Sequence, residues 1–298
     1  TMPELPEVEV VCRGLRRVVV GRTIGRVTVR APKSSVTVSP SLGARFLDEA
    51  LRGRRIESVD RRGKNILIRL AGRRTLWVHL KMTGRFLWLP RTEPIAAHDL
   101  VIVDFLPEAG ADDGHHLRFN DYRRFGRWRL YPDDELDLQE GLRALGPEPS
   151  ALSADDFAAL CRRRPRRIKA ALLDQSFLAG IGNIYADEAL YAARLHPLRL
   201  TTAMSRRKLR ELHTHIVRLL RRAIHLMGTS VDSYSGVNGR PGRFQSRLQV
   251  YGREGKPCGR CGAAIVRRKI GARSAHFCPR CQRAGEAAPG LPRKNPPA

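Results

Sequence analysis

Between Thr23 and Tyr131 the apolar residues come in short runs, several alternating with polar ones, and Gly, Pro and Asp separate the runs. A period of two belongs to strands with one buried face. It predicts strands at Thr23–Arg30, Ser35–Val38, Arg55–Asp60, Asn65–Leu70, Thr75–Leu80, Arg85–Leu89, Asp99–Phe105, His116–Phe119 and Arg127–Tyr131, and hence an antiparallel sandwich or barrel. Ahead of them, Val8, Val11, Cys12, Leu15, Val18 and Val19 recur at the spacing of one buried helix face. Beyond Pro149 the period becomes helical. Ser153, with Asp156 three residues on, reads as the N-cap of a helix carrying Phe157 and Leu160. Helices follow at Arg167–Gln175, Asn183–Arg194 and Ser205–Met227, the last with Gly228 as its stop. The chain of 298 residues therefore divides into residues 1–135, rich in strands, a linker at 136–150, a helical domain at 151–245, a cysteine module at 246–283 and a tail at 284–298. The tail is rich in Ala, Pro, Gly and Arg, a composition that predicts disorder.

Charge adds a partner to this outline. There are 55 Lys+Arg against 29 Asp+Glu, a formal net charge of +26. Neutralising phosphates with such a surface releases condensed counterions, so nucleic acid is the expected partner. A membrane is disfavoured, since there is neither an apolar run of spanning length nor an amphipathic anchor. The first residues, Thr1-Met2-Pro3-Glu4-Leu5-Pro6-Glu7, are acidic and proline-rich and do not read as a signal peptide, which predicts a cytoplasmic protein. Two prolines stiffen this lead-in, and Glu7 suits the positive end of the helix it opens.

Four of the six cysteines form two pairs, Cys258-Gly259-Arg260-Cys261 and Cys278-Pro279-Arg280-Cys281. This is the spacing of a four-thiolate zinc site, and four thiolates leave no open coordination position, so the metal is expected to be structural. Between the pairs lie Arg267, Arg268, Lys269 and Arg273, a basic hairpin suited to nucleic acid.

Three separated segments, Pro3-Glu4-Leu5-Pro6-Glu7, Gly180-Ile181-Gly182-Asn183-Ile184-Tyr185-Ala186 and the four-cysteine module, together resemble the formamidopyrimidine-DNA glycosylase/endonuclease VIII family, on its formamidopyrimidine side. The resemblance runs from Pro3 to about Gln282. It implies an α+β fold: an N-terminal antiparallel β-sandwich flanked by helices, then a helical domain with a helix-two-turns-helix element and a β-hairpin zinc finger holding one structural zinc. It also implies a monomer, nucleoid-associated in a bacterial cytoplasm, that excises oxidised purines from double-stranded DNA and cleaves the abasic strand by β,δ-elimination. Catalytic roles carry over to Pro3 as the amine nucleophile that forms a Schiff base, Glu4 as acid, Lys64 beside the lesion phosphate and Arg273 in the zinc finger. An α-amino group titrates near neutrality, which suits a nucleophile without a dedicated base. Met82, Arg123 and Phe125 match the residues that intercalate where the lesion has left the stack, and His98, Arg123, Arg164, Lys169, Asn183 and Arg240 match DNA contacts.

The sequence also departs from the family pattern. Thr1 and Met2 precede Pro3, so Pro3 must become the first residue before its nitrogen can attack. Tyr122 stands where the family usually has proline, and Lys81 where it often has glycine. Two other readings remain open at this point: an endonuclease VIII-like enzyme for oxidised pyrimidines, and a non-catalytic zinc-dependent DNA-binding protein if Thr1-Met2 are retained. Cys12 is expected to pack inside the first helix, and Cys161 to be a bystander thiol among arginines.

Overall fold

The computed structural model describes residues 2–30, 46–107, 114–231 and 234–284. The predicted strand Ser35–Val38 and the tail from residue 285 onward lie outside the described residues. The chain forms two compact units, one of Thr1–Leu145 with Arg221–Ser246, the other of Gly146–Leu220 with Arg247–Ala298.

In the first unit, helix α1 (Leu5–Val19) is followed by β1 (Ile24–Val29), α2 (Leu47–Leu51) and seven further strands: β2 (Ile56–Arg62), β3 (Asn65–Leu70), β4 (Arg74–His79), β5 (Arg85–Pro90), β6 (Asp99–Phe105), β7 (His115–Asn120) and β8 (Arg127–Pro132). They make two antiparallel four-stranded sheets, in the orders β1-β6-β7-β5 and β2-β3-β4-β8. Period-two alternation explains the sandwich. Ile66, Val78 and Trp128 fall in register across β3, β4 and β8, and Phe86 and Phe119 from the other sheet lie 5.6 and 5.4 Å from the Trp128 ring. Val8, Val11, Cys12, Leu15 and Val19 of α1 join the same core. Cys12 is fully buried, and burial pushes its thiol up to about 12.

Strands β3 and β6 have the predicted bounds, and the others shift by a residue or two. A short helix, α3 (Asp133–Leu136), however, runs into the stretch expected as linker, and that stretch itself holds another, α4 (Glu140–Arg143). Their Leu136 and Leu142 cover Leu67 and Tyr131, the outward-facing residues of the second sheet, and so give β3 two buried faces.

The second unit contains α5 (Ala154–Arg162), α6 (Ile168–Leu173), α7 (Asn183–Ala192), most of α8 (Arg206–His225), and the hairpin of β9 (Val266–Ile270) and β10 (Arg273–Phe277). Ser153 caps α5 as predicted, its hydroxyl accepting from the Asp156 N–H at 3.0 Å. Helix α6 stops earlier than predicted because the Asp174 carboxylate takes the Ser176 N–H and hydroxyl in an Asx turn. Helix α8 ends through Met227 (φ 63°) and Gly228 (φ 78°), with the Gly228 N–H returning to Ala223 O at 2.8 Å. Eight successive residues of α7, Ile184 to Tyr191, are buried. Cys161 is buried too, its thiol pushed up to about 12, an inert side chain among its arginine neighbours.

Candidate active site and metal centre

The first residues of the chain are held by one carboxylate. Glu7 accepts the Glu4 N–H at 2.9 Å, the reach-back half of a capping box, and the Thr229 N–H at 2.8 Å. Pro3, Glu4 and Glu7 are all buried. Thr229 is reachable because Gly228 has no side chain: a Cβ there would sit 3.0 Å from the Glu7 carboxylate. A charged group accepting two buried N–H groups makes a strong, directional tether.

Lys64 occupies the two-residue turn between β2 and β3, with Gly63 at φ 59° supplying the conformation that such a hairpin needs. Helix α1 grips the same hairpin. Arg61 donates to Glu9 at 3.1 Å and to Gly63 O at 3.0 Å, and Arg16 donates to Val59 O at 2.6 Å. Glu9 is held below its usual range against the cost of its burial by hydrogen bonds from Arg13 and Arg61 and the charges of Arg61 and Arg16. Helix α1, which follows directly on Pro3 and Glu4, is thereby tied to the turn that carries Lys64.

Met82, Arg123 and Phe125 come together from two loops 41 residues apart. Arg123 donates to the Met82 sulfur at 3.3 Å, and its guanidinium lies 5.1 Å from the Phe125 ring centre. Phe125 is 48% exposed, unusual for a large apolar side chain, and so is free to meet a ligand. Both loops contain a left-handed residue other than glycine, Lys81 at φ 53° and Arg124 at φ 57°. This explains physically why glycine suits position 81. His98 is exposed beside this cluster, with its ring 6.4 Å edge-on to that of Tyr122. The chain reaching His98 is anchored from beneath. Arg118, 1% exposed, donates to Asp99 at 3.0 Å, to Pro94 O at 2.8 Å and to Glu93 O. Neither Arg118 nor Asp99 stands out in the sequence, since a buried ion pair inside a strand pattern looks like an ordinary outward-facing charge.

Arg240 is exposed at the tip of a loop that is otherwise pinned. Gly236 N–H bonds to Arg240 O at 2.9 Å, Gly242 N–H to the Ser230 hydroxyl at 2.8 Å, and Trp88 N–H to Val237 O at 2.8 Å. Val237 is buried in the sandwich core against Gly14.

In the second unit, Gly180 (φ 96°) turns the chain into α7, which begins at Asn183. Gln175 braces the turn, accepting from the Gly180 N–H and donating to Ile181 O. The first amides of α7 and the Asn183 side chain form a helix N-terminus suited to phosphate. Arg164 is exposed, and its carbonyl accepts from the Thr201 hydroxyl at 2.9 Å. Lys169, expected as a DNA contact, is 1% exposed, and its ammonium is committed internally to Asp187 at 2.5 Å and to Ser274 O at 2.6 Å. It braces the hairpin at the residue following Arg273, which is itself exposed just past the Gly271–Ala272 tip.

The metal ligands of Cys258, Cys261, Cys278 and Cys281 all lie within 4.8 Å of one another, with Cys258–Cys281 sulfurs 3.9 Å and Cys261–Cys278 sulfurs 3.5 Å apart. A tetrahedral zinc with bonds of about 2.3 Å sets sulfurs roughly 3.8 Å apart, so the group fits. The Arg260 and Cys281 N–H groups point at the Cys258 and Cys278 sulfurs, as thiolates require. The module is seated on α7. The Tyr191 hydroxyl meets the Cys258 sulfur at 3.3 Å, Arg260 donates to Tyr191 O at 2.7 Å, and the Glu188 carboxylate takes the N–H groups of Gln249, Val250 and Tyr251. Bound zinc supplies structure here, cross-linking two turns; no chemistry of the reaction depends on an open coordination position.

A β-sandwich with a clamped N-terminus, a helical unit with a phosphate-type turn and a four-thiolate hairpin are the parts of a zinc-binding protein suited to a phosphate backbone. The formamidopyrimidine-DNA glycosylase N-terminal domain model matches residues 2–128, its H2TH domain model residues 145–235, and the zinc finger found in FPG and IleRS residues 255–284. The formamidopyrimidine-DNA glycosylase of Heliobacterium modesticaldum is 46% identical over 95% of this chain and 100% of its own, and that of Pelotomaculum thermopropionicum 44% identical over 95% and 99%. Among solved structures, the complex between a Lactococcus lactis FPG mutant and a Fapy-dG containing DNA superposes with a TM-score of 0.84 at 35% identity, covering 94% of this chain and all of that one. The chain belongs to the formamidopyrimidine-DNA glycosylase family. It is a base-excision-repair glycosylase/AP lyase for oxidised purines, and it carries one structural zinc site. Among the described residues, no helix is long and apolar enough to cross a membrane.

Proposed function

We propose that catalysis begins at Pro3, once it is the first residue of the chain. Its secondary amine attacks C1′ of the damaged nucleotide, the glycosidic bond breaks with its electrons leaving on the base, and the amine's proton passes to the departing base, leaving Pro3 joined to a closed sugar. Glu4 donates its proton to O4′ as the C1′–O4′ bond breaks, and the nitrogen lone pair closes the iminium that joins Pro3 to the opened sugar. Lys64 sits at the lesion phosphate during β-elimination, and Arg273 assists the second elimination by holding phosphate charge. Met82, Arg123 and Phe125 occupy the space from which the lesion is everted, an exchange that repays a few kcal/mol of lost stacking and pairing. Asn183, Arg164, His98 and Arg240 contact DNA, while Lys169 acts through the hairpin. Phosphate contacts of this kind position the duplex without reading its sequence.

The observation that carries this reading is the double acceptance by Glu7, which immobilises the residues next to Pro3 in a way that a merely packed terminus does not need. The test is borohydride trapping of protein beginning at Pro3 on a duplex containing eight-oxoguanine. A covalent adduct of protein and DNA is expected. No adduct from protein whose intact mass verifies Pro3 at the terminus would overturn the nucleophile assignment. Preferential trapping on an oxidised pyrimidine would reassign the substrate.

A further inference from the structure

We infer that Asp121 is a positioning residue for opening the base pair, clasping the Met82 loop and the Arg123–Phe125 loop into one rigid wedge. This rests on the reading of Met82, Arg123 and Phe125 as the intercalating set. Asp121 is fully buried, so it meets no solvent and works only through the groups it holds. Its Oδ1 accepts from the Thr83 hydroxyl, next to Met82, and from the Arg123 N–H at 3.3 Å. Its Oδ2 accepts from the Gly126 N–H, next to Phe125, at 2.7 Å. All three partners donate. A carboxylate can satisfy all of them, whereas an amide in its place would turn an NH2 group toward at least one N–H or O–H.

The clasp closes on a shared surface. A Cβ at Gly84 would lie 2.7 Å from the tip of the Phe119 ring, and one at Gly126 would lie 2.5 Å from the same atom. Both loops therefore press their glycines on one buried aromatic edge, and Asp121, two residues beyond Phe119, locks them there. The wedge side chains project from a base that is already formed. Preorganisation matters because inserting three mobile side chains into a stacked duplex would cost their freedom at the moment when stacking is lost.

The experiment uses the zinc-loaded chain beginning at Pro3 and its variants Asp121→Asn, Thr83→Val and Thr83→Ser, with Met82→Ala and Phe125→Ala for comparison. Excision rates are measured on eight-oxoguanine paired with cytosine and on the same lesion facing an abasic-site analogue, where no partner must be opened. A 2-aminopurine beside the lesion reports insertion independently of cleavage. Asp121→Asn and Thr83→Val are expected to lose roughly tenfold or more on the paired lesion and less than about threefold on the unpaired one, with the insertion signal reduced in step and Thr83→Ser close to wild type. Equal losses on both duplexes, or no loss, would overturn the inference. If Met82→Ala and Phe125→Ala show no loss specific to the paired lesion, it is the wedge reading that fails. Should Asp121→Asn not fold, the contrast between Thr83→Val and Thr83→Ser decides.

Discussion

The Lys169 ammonium and the Asp187 carboxylate meet at 2.5 Å with each side chain 1% exposed, and Asp187 also accepts the His276 N–H at 2.9 Å. Three elements, α6, α7 and β10, converge on this pair. Replacing Lys169 with Met leaves a buried carboxylate without its counter-charge, a loss of about 3–5 kcal/mol for a pair of this kind. Denaturation of Lys169→Met followed by hydrogen exchange is expected to show Arg273–Phe277 and α7 opening earlier than in the parent. Unchanged protection in the hairpin would contradict the bracing role.

The Glu7 carboxylate predicts a mutation that acts on chemistry without touching substrate. Glu7→Gln keeps the shape but offers an NH2 group to one of two buried N–H donors, at a cost of about 1–3 kcal/mol per unsatisfied group. Single-turnover adduct formation at Pro3 is expected to slow by more than tenfold, while affinity for undamaged duplex stays close to that of the parent. Equal losses in both would make Glu7 a general stability residue instead.

A pH dependence follows from His79. Its Nδ1 accepts the Lys81 N–H at 2.9 Å, and its pKa is lowered to about 3, first by burial and then by the charges of Lys81, Lys64 and Arg127. Below pH 6.5 the unfolded chain takes up a proton that the native ring refuses, so stability falls as pH drops toward 3, by up to about 1.4 kcal/mol per unit. His79→Asn retains an acceptor for Lys81 and cannot titrate. Between pH 6 and 4.5, above the range of the depressed carboxylates Glu9 and Asp48, its urea midpoint should fall less steeply than the parent's. Parallel slopes would rule out His79 as the source.

Zinc removal tests the seating of the finger on α7. Chelation is expected to release protection across Gln249–Tyr251 and Val266–Phe277, because the thiolate cross-link and the Tyr191 and Arg260 contacts hold one assembly. Duplex affinity should weaken with it. Normal affinity after verified metal loss would count against a DNA-binding role for the hairpin.

Much of this protein is determined locally, and the sequence alone therefore determines it. Asn65–Leu70 and Asp99–Phe105 alternate or run apolar strongly enough to set their strand bounds, Ser153 and Asp156 announce a helix start, and two CxxC pairs define a metal site whatever surrounds them. The resemblance carried by the N-terminal, central and cysteine segments led to the right family. What only the tertiary structure decides is the partner of each charge. Lys169 and Arg118 look like surface cations in a chain with so many, yet each is buried against an aspartate brought from a distant element. Helices α3 and α4 escaped detection because Leu136 and Leu142 are too sparse to show a period and are helical only where Leu67 and Tyr131 need cover. Asp121 is a single polar letter before Tyr122, and its task arises when Thr83 and Gly126 are folded against the same Phe119 ring. Periodicity reports which face of an element is buried; a buried charge reveals its function only through the groups that satisfy it.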